Sequence, residues 1–391
     1  MGPGMSIATA VMSHFRLPVP QKRPIATAAP APKLARHTPE AQMARVVYFL
    51  GAGFSRPLGV PTIANFLEAA KNQQEREPGR YGYFQPLLDR IEGLYKAGTF
   101  FESDLTNIEE VLSLLEADAF VDDGKLKREF IKFICDVITF HTPPIERVLP
   151  KLPSNWEGLA FGTTDRHWNH YGYFTLALLN LQLGLESSTG KLHVSLEDDP
   201  RITYSVVTTN YDLVLENVCD YAKQNFVSGD KAAFRLASGK RVIESGRSAL
   251  AKLHGSVDDG DVIPPTWSKA ATPEYADPWR LALKVLSEAQ EIRIIGYSLP
   301  ESDAYVRFLL KAAAIRSRDL RRVHVLCLDK DNAAGVEKRY QSFVKLRGGF
   351  EFRNMDSWQY LNNLLQRLVN SLAGSPAKHL EDTHGFFFRT P

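Results

Sequence analysis

The stretch VVYFLGAGFSRPLGVPT, Val46 to Thr62, begins as a strand and breaks into a glycine-rich loop. Val46–Leu50 is a continuous apolar run, β-branched at its start and closed by glycine, which predicts a central strand covered on both faces. From Thr62 to about Gln74, Ile63, Phe66, Leu67 and Ala70 recur at helical spacing. A glycine loop between a strand and a helix is the setting of a phosphate cradle. The glycines permit a tight turn, backbone N–H groups approach the anion, and the helix dipole favours it. The spacing departs from the dinucleotide fingerprint G-x-G-x-x-G. Here it runs Gly51-x-Gly53-x-x-Arg56, with the next glycine at Gly59. No acidic residue closes a second strand about twenty residues on, so an ordinary dehydrogenase is disfavoured. A plain strand-to-helix turn without ligand is the competing reading of the loop alone.

Outward from the loop, strand patterns recur at Tyr204–Val207, Ala251–Leu253, Ile292–Ile295 and Val323–Leu328, and more weakly at Phe350–Phe352. Helical patterns alternate with them at Leu213–Gln224, Trp279–Glu288, Ala304–Ala314 and Ala333–Val344, and Trp358–Leu372 closes the series. This alternation predicts an α/β fold, a Rossmann-like parallel sheet with helices on both faces. Between the first two strands, residues from about 75 to 195 read as a mostly helical insertion. Thr106-Asn-Ile-Glu109 has the form of a capping box there, and Phe130–Phe140 and Tyr173–Leu183 are further helices. The expected organisation is a flexible Pro- and Ala-rich arm over 1–43, a catalytic domain over 44–373 and a C-terminal tail over 374–391 ending in GFFFRTP. Neither end has a core of its own. Exposed aromatic segments often mark interaction sites, so at least one end is expected to dock onto another subunit.

Composition narrows the class. Apolar residues make up 44% and charged residues 24% of the 391, as in soluble globular proteins. The 47 basic and 45 acidic residues nearly cancel to +2, so direct nucleic-acid binding is not expected. No apolar run is long enough for a membrane helix, and the N-terminal segment lacks the apolar block of a signal peptide. Cys135, Cys219 and Cys327 are far apart and odd in number. That argues against disulfides and for buried packing in a reducing, cytoplasmic setting. No metal site is expected. In DRHWNHYGYF, His167 and His170 share a helix face but lack further ligands, so they read as aromatic packing or a pocket wall.

Three further segments end predicted strands with polar, ligand-ready residues: TTNYD (Thr208–Asp212), KLHGS (Lys252–Ser256) and IIGYSLPESD (Ile294–Asp303). A fourth, CLDKD, places Asp329 after its strand. In an open α/β sheet ligands bind at the carboxyl ends of strands, so these loops are expected to converge. In this order, GAGFSRPLGVPT, TTNYD, LHGS and IGYSLPESD resemble the sirtuin superfamily, especially its bacterial branch in antiphage defence systems. NIEEVLSLLE in the insertion is similar to the same branch. The resemblance covers about residues 45–330.

The resemblance implies an NAD-binding Rossmann-like fold whose glycine loop, Gly51, Ala52, Gly53, Phe54 and Ser55, holds the pyrophosphate. It makes Asn210 the catalytic asparagine and His254 the catalytic histidine. Gly296, Tyr297 and Ser298 fall on the adenosine side and Asp329 near the ribose hydroxyls. Beside the resemblance, Thr62, Thr209 and Ser256 are further candidates for contact with the cofactor, Ser256 as a supporting residue. Two departures weaken protein deacylation. The chain has too few cysteines for the four-cysteine zinc site, and Val60-Pro61-Thr62 leads into Ile-Ala-Asn-Phe without the family's arginine.

The residue types suit cleavage of the nicotinamide–ribose bond. An amide such as Asn210 donates to and accepts from ribose or water at once. Histidine titrates near neutrality, so His254 suits a general base. Asp212 is either a supporting catalytic residue or only a helix cap. Phe54 and Tyr297 either meet flat rings or pack, and Asn210 and His254 have structural readings too. The leading expectation is an NAD hydrolase, with NAD as substrate and no metal. Deacylation or ADP-ribosyl transfer is the alternative enzyme reading, and a non-catalytic NAD or ADP-ribose sensor the alternative of another class. A toxic NAD hydrolase must be restrained until needed, so partner control or homo-oligomerisation is expected; family analogy suggests a HerA-type ATPase or an Argonaute-like protein as the partner.

Overall fold

The computed structural model describes residues 43–94, 111, 125–146, 156–162, 167–186, 188–198, 200–239, 241–262, 276–346, 348–370 and 375–388. The N-terminal arm, the capping box at 106–109 and all of NIEEVLSLLE but Val111 lie outside these residues. The first strand, β1 (Ala44–Leu50), is followed by α1 (Ala52–Ser55), α2 (Phe66–Arg76), α3 (Pro78–Tyr81), α4 (Phe84–Leu94) and α5 (Lys125–His141). Next come α6 (Trp168–Leu178), the hairpin β2 (Leu181–Leu185) and β3 (Leu192–Leu196), β4 (Ile202–Thr208) and α7 (Val214–Asn225). Then follow β5 (Arg235–Ser238), β6 (Arg241–Ile243), β7 (Ala249–Lys252) and the short β8 (Gly255–Ser256) and β9 (Asp261–Val262). The chain continues through α8 (Ala276–Ser287), β10 (Glu291–Ile295), α9 (Ala304–Arg316), β11 (Arg322–Leu326), α10 (Val336–Phe343) and β12 (Phe350–Arg353). It ends in α11 (Ser357–Asn370) and α12 (Pro376–Phe388).

Eight strands form one sheet in the order β12-β11-β10-β1-β4-β7-β5-β6. Every pair is parallel except β5 with β6. As its apolar run predicts, β1 is covered on both faces. Val46, Tyr48 and Leu50 join one core with residues of α6, α7, α11 and α12, and Val47 and Phe49 join the other with α8, α9 and α10. A residue alternates faces because the side-chain period of a strand is two. Helices on both sides of a mostly parallel sheet make this a Rossmann-type α/β fold.

The region read as a helical insertion divides. Every residue of α6 is buried, and Tyr48 and Phe174 meet edge-on with ring centres 5.3 Å apart, so α6 is a layer of the main core. The antiparallel β2–β3 pair replaces the expected helix end at Leu181–Leu183. Its alternation is short, and the buried helix before it continues the apolar run, so period alone does not separate the two. β5 and β6, four and three residues long, are too short for a period to show in the sequence.

The C-terminal segment is a second correction. Rather than a tail without a core, it is the helix α12, which buries Leu380, Thr383, His384 and Phe388 on its own domain. Phe387 is partly buried and Phe386 is exposed. What holds the helix is a buried charge network invisible in local pattern. Arg293 of β10 forks onto Glu381 with two 2.7 Å bonds, and its Nε donates to Glu291 Oε1 at 2.6 Å. Tyr204 donates to Glu381 at 2.6 Å. His324 and His384 share a 2.8 Å contact between Nδ1 and Nε2, and Phe388 stacks on both rings. Glu291, His324 and His384 lie close enough to share a cation. The guanidinium already on that carboxylate oxygen opposes one there.

Burial, with the Arg293 charge behind it, pushes His384 down to about 4, and burial lowers His324 too. Burial acts to raise Glu291, but the hydrogen bond from His384 and the Arg293 charge hold it well below the usual carboxylate range. A histidine lowered by folding binds fewer protons in the folded than in the unfolded state. Its contribution is complete above the unfolded value of about 6.5 and is lost as pH falls toward the folded one. Urea midpoints should therefore fall as pH drops from about 6.5 to 4, and His384→Gln should flatten that slope. A midpoint that is flat over this range in the wild type would remove the network's role.

Candidate active site

The strand register gathers the predicted loops. Leu50 pairs with Thr208 on one side and Ile295 on the other, Thr208 pairs with Lys252, and Ile295 with Leu326. Ala52, Asn210, His254 and Tyr297 thus each stand two residues beyond a mutually aligned row. All emerge at the carboxyl edge, where the chain leaves β1 between strands reached by opposite crossovers.

Asn210 is 8% exposed, and its Nδ2 donates to the Gly51 carbonyl and to Ser55 Oγ, both at 3.1 Å. Its backbone N–H donates to Thr208 Oγ1 at 3.0 Å. The amide is therefore locked, and its buried Oδ1 has no hydrogen-bond partner among the described residues. A locked buried amide with an unused acceptor is costly unless a ligand or water satisfies it. Ala52, Thr62, Thr209, Asn210 and Asp212 line one pocket, walled by Phe66 of α2 and Ile134 and Ile138 of α5. It encloses only about 70 Å³, against roughly 300–1,000 Å³ for ordinary ligand sites.

The glycine loop packs against the loop after β10, backbone on backbone. The N–H groups of Gly51 and Gly53 donate to the carbonyls of Ile295 and Gly296 at 3.0 and 2.9 Å, and that of Phe54 donates to Gly51. These three N–H groups are thus engaged within the protein. A Cβ on Gly53 would lie 2.9 Å from Gly296 Cα, and one on Gly296, at φ +69°, only 2.2 Å from Phe54 N. The glycines are required by this contact between loops. Ser357, at the start of α11, clamps the loop from the other side with a 2.7 Å bond to the Gly53 carbonyl.

His254 is 1% exposed and its Nε2 stands 3.5 Å from Asp303 Oδ1. Its ring centre is 6.0 Å from that of Tyr211, which also lines the pocket. Behind it, buried Lys252 donates to the Asp212 carbonyl at 2.6 Å, Glu216 Oε1 at 2.8 Å and Ser256 Oγ at 2.8 Å. Buried Lys252 and half-buried Glu216 form an ion pair; desolvation raises Glu216 and the Lys252 charge counters it.

Several predicted residues have structural duties. Asp212 Oδ1 accepts from the N–H of Val214, the first residue of α7, so its capping reading is realised while it also faces the pocket. Ser256 holds Lys252. Phe54 is core, packed on Tyr171 and Phe174 at 5.2 Å each, and does not meet the pocket. Both oxygens of Asp329 accept backbone N–H groups, from Ala334 and Val336, which fixes the start of α10 and opposes a ribose role. The Tyr297 ring packs on Phe49 and its hydroxyl donates to Asp303; the Ser298 carbonyl accepts from Arg339. Thr62 bonds Asn65. His167 and His170 both pack on Trp358, as aromatic packing. Sequence reading singled out neither Lys252, Asp303 nor Ser357. The first two stood inside quoted motifs; Ser357 carried no signal, because only the tertiary fold brings it to the loop.

Residues 204–347 match the family model described as a SIR2-like domain. It contains Asn210, His254 and Asp303 and begins after the glycine loop. No curated protein matches the chain. Among solved structures, a Sir2 homologue in complex with NAD is 13% identical, with 85% of this chain and 92% of that one covered and a TM-score of 0.37. A Sir2 bound to acetylated peptide is 13% identical, with 84% and 94% covered and a TM-score of 0.34.

The loop contact makes a direct comparison possible. Gly59 and Gly296 both have positive φ, but a Cβ on Gly59 meets nothing within 4 Å. Gly59→Ala should cost only the conformational term of about 1–2 kcal/mol. Gly296→Ala adds a backbone collision and should lower the urea midpoint distinctly further. Equal midpoints for the two variants would show that the loops do not interlock.

Proposed function

We propose that the chain is an NAD+ hydrolase that cleaves the nicotinamide–ribose bond to give nicotinamide and ADP-ribose. The observation that supports this most is Asn210, whose Nδ2 is tied down by Gly51 and Ser55 while its buried acceptor oxygen remains unused. Its place beside the end of β7, where His254 emerges, supplies the second group. Asn210 orients a ribose hydroxyl or the attacking water through that oxygen. His254 accepts the proton that the water must lose. NAD supplies the labile bond, and the chain supplies orientation, water exclusion and a proton acceptor. Ala52 and Thr209 line the same pocket. At about 70 Å³ the pocket is too small for the whole substrate, so binding requires the wall formed by α2 and α5 to part from the sheet edge. The setting carried by the resemblance is antiphage defence through NAD depletion. The chain would then be restrained as a homo-oligomer or by an ATPase or Argonaute-like partner until triggered.

Incubation of the purified protein and its assemblies with NAD, followed by product analysis, tests the reading. Free ADP-ribose and nicotinamide are expected. Acyl-ADP-ribose formed only with an acylated peptide would make the protein a deacylase, and intact NAD under all conditions would favour a sensor. Asn210→Ala and His254→Ala should each slow nicotinamide release by about 10²–10⁴-fold with NAD affinity largely kept. The double variant should be little slower than the worse single one, because groups acting as a unit are not additive. Wild-type turnover in His254→Ala would overturn the mechanism.

A further inference from the structure

We propose that Asp303 is the positioning residue for His254, fixing its tautomer and ring orientation, and that Tyr297 in turn holds Asp303; this rests on His254 being the proton acceptor. The two side chains are 49 positions apart in sequence yet meet at 3.5 Å, Nε2 to Oδ1, each with 2% of its side-chain surface exposed. Asp303 occupies the N-cap position of α9, where an aspartate ordinarily bonds the first helical N–H groups. It makes no such side-chain cap bond. Its carboxylate meets two other groups. Oδ2 accepts from the Tyr297 hydroxyl at 2.8 Å, and Oδ1 faces His254.

The support for this carboxylate is itself fixed. The Tyr297 ring packs on Phe49 at 4.9 Å, and its carbonyl accepts from the Tyr340 hydroxyl at 2.8 Å. Between Tyr297 and Asp303 the chain passes through Leu299, fully buried at φ +53°. A branched residue in the left-handed region is strained and persists only where its surroundings over-determine it. Arg339 holds the preceding carbonyl, that of Ser298, with Nε at 3.3 Å and Nη2 at 3.2 Å. The loop is thus built to deliver the Asp303 carboxylate to one place.

The chemical consequence follows from the two distinct ring nitrogens. A carboxylate facing Nε2 keeps the proton of the neutral ring there and leaves the lone pair on Nδ1. Nδ1 then takes the proton lost by water or hydroxyl, and the resulting imidazolium is held beside the buried carboxylate. No proton passes to Asp303. At 3.5 Å the two atoms are in contact but not hydrogen-bonded to each other, and substrate must draw them together, as catalytic contacts often tighten only in the complex.

The test uses the full chain and the near-isosteric Asp303→Asn, with Tyr297→Phe as a milder second variant. In NAD turnover, Asp303→Asn should lower kcat by at least about 10²-fold, with KM and the thermal midpoint close to wild type. Tyr297→Phe should shift kcat in the same direction by less. Wild-type kcat in Asp303→Asn would overturn the proposal. So would a KM increase at unchanged kcat, which would mark a substrate contact instead. An independent readout is the nitrogen-15 spectrum of histidine-labelled protein, with His254 assigned by its loss in His254→Gln. A neutral His254 protonated on Nε2 in the wild type, redistributed in Asp303→Asn, supports the proposal, and protonation on Nδ1 in the wild type overturns it. The spectrum decides this even if the protein leaves NAD intact, an outcome that would sink only the hydrolase reading.

Discussion

No side chain fits between the turn at Gly51–Gly53 and the turn at Gly296–Tyr297. The rest of the site depends on that backbone-to-backbone contact. It fixes the Gly51 carbonyl, which holds the Asn210 amide, and it sets where Tyr297 enters the core beneath Asp303. The parallel register of β10, β1 and β4 places the turns opposite each other, and hydrogen bonds from Gly51 and Gly53 close the gap. A phosphate-binding loop and a loop joint make the same demand for residues without Cβ, so a glycine count alone cannot separate them.

Polar groups at the carboxyl edge form two connected sets. One joins Asn210, Ser55 and the glycine loop at the pocket wall. The other runs from Tyr340 through Tyr297 and Asp303 to His254. Lys252 braces the floor by bonding the Asp212 carbonyl, Glu216 and Ser256. Such buried networks are favourable only when their members are satisfied. On one face of the sheet, at the middle of β10 and β11, the Arg293 network is devoted to fastening α12. One sheet thus carries a polar cluster at its carboxyl edge and a second on one face, the latter covered by a helix.

Local pattern was enough wherever burial imposed a simple period. The apolar run of β1, the alternation of strands and helices after Leu213 and the polar strand ends were all readable, because a doubly covered sheet demands continuous apolar strands. Asn210 and His254 were readable from motif order, and the register places both at the expected edge. Roles that depend on what a side chain meets were less readable. Phe54 faces α6, and Asp329 is turned onto the backbone before α10.

Hydrophobic periodicity and short-range pattern suffice for the sheet, its central strand and the polar ends of its strands, since these depend on residues near one another in the chain. Only the tertiary structure decided that α6 belongs to the core, that the C-terminal segment is a helix held by Arg293, and that Asp303 turns from its own helix toward His254. Each of these joins residues far apart in the chain through a buried polar or packing contact. The free energy of such a contact depends on desolvation and on the partner that folding brings to it, and neither is written in local spacing.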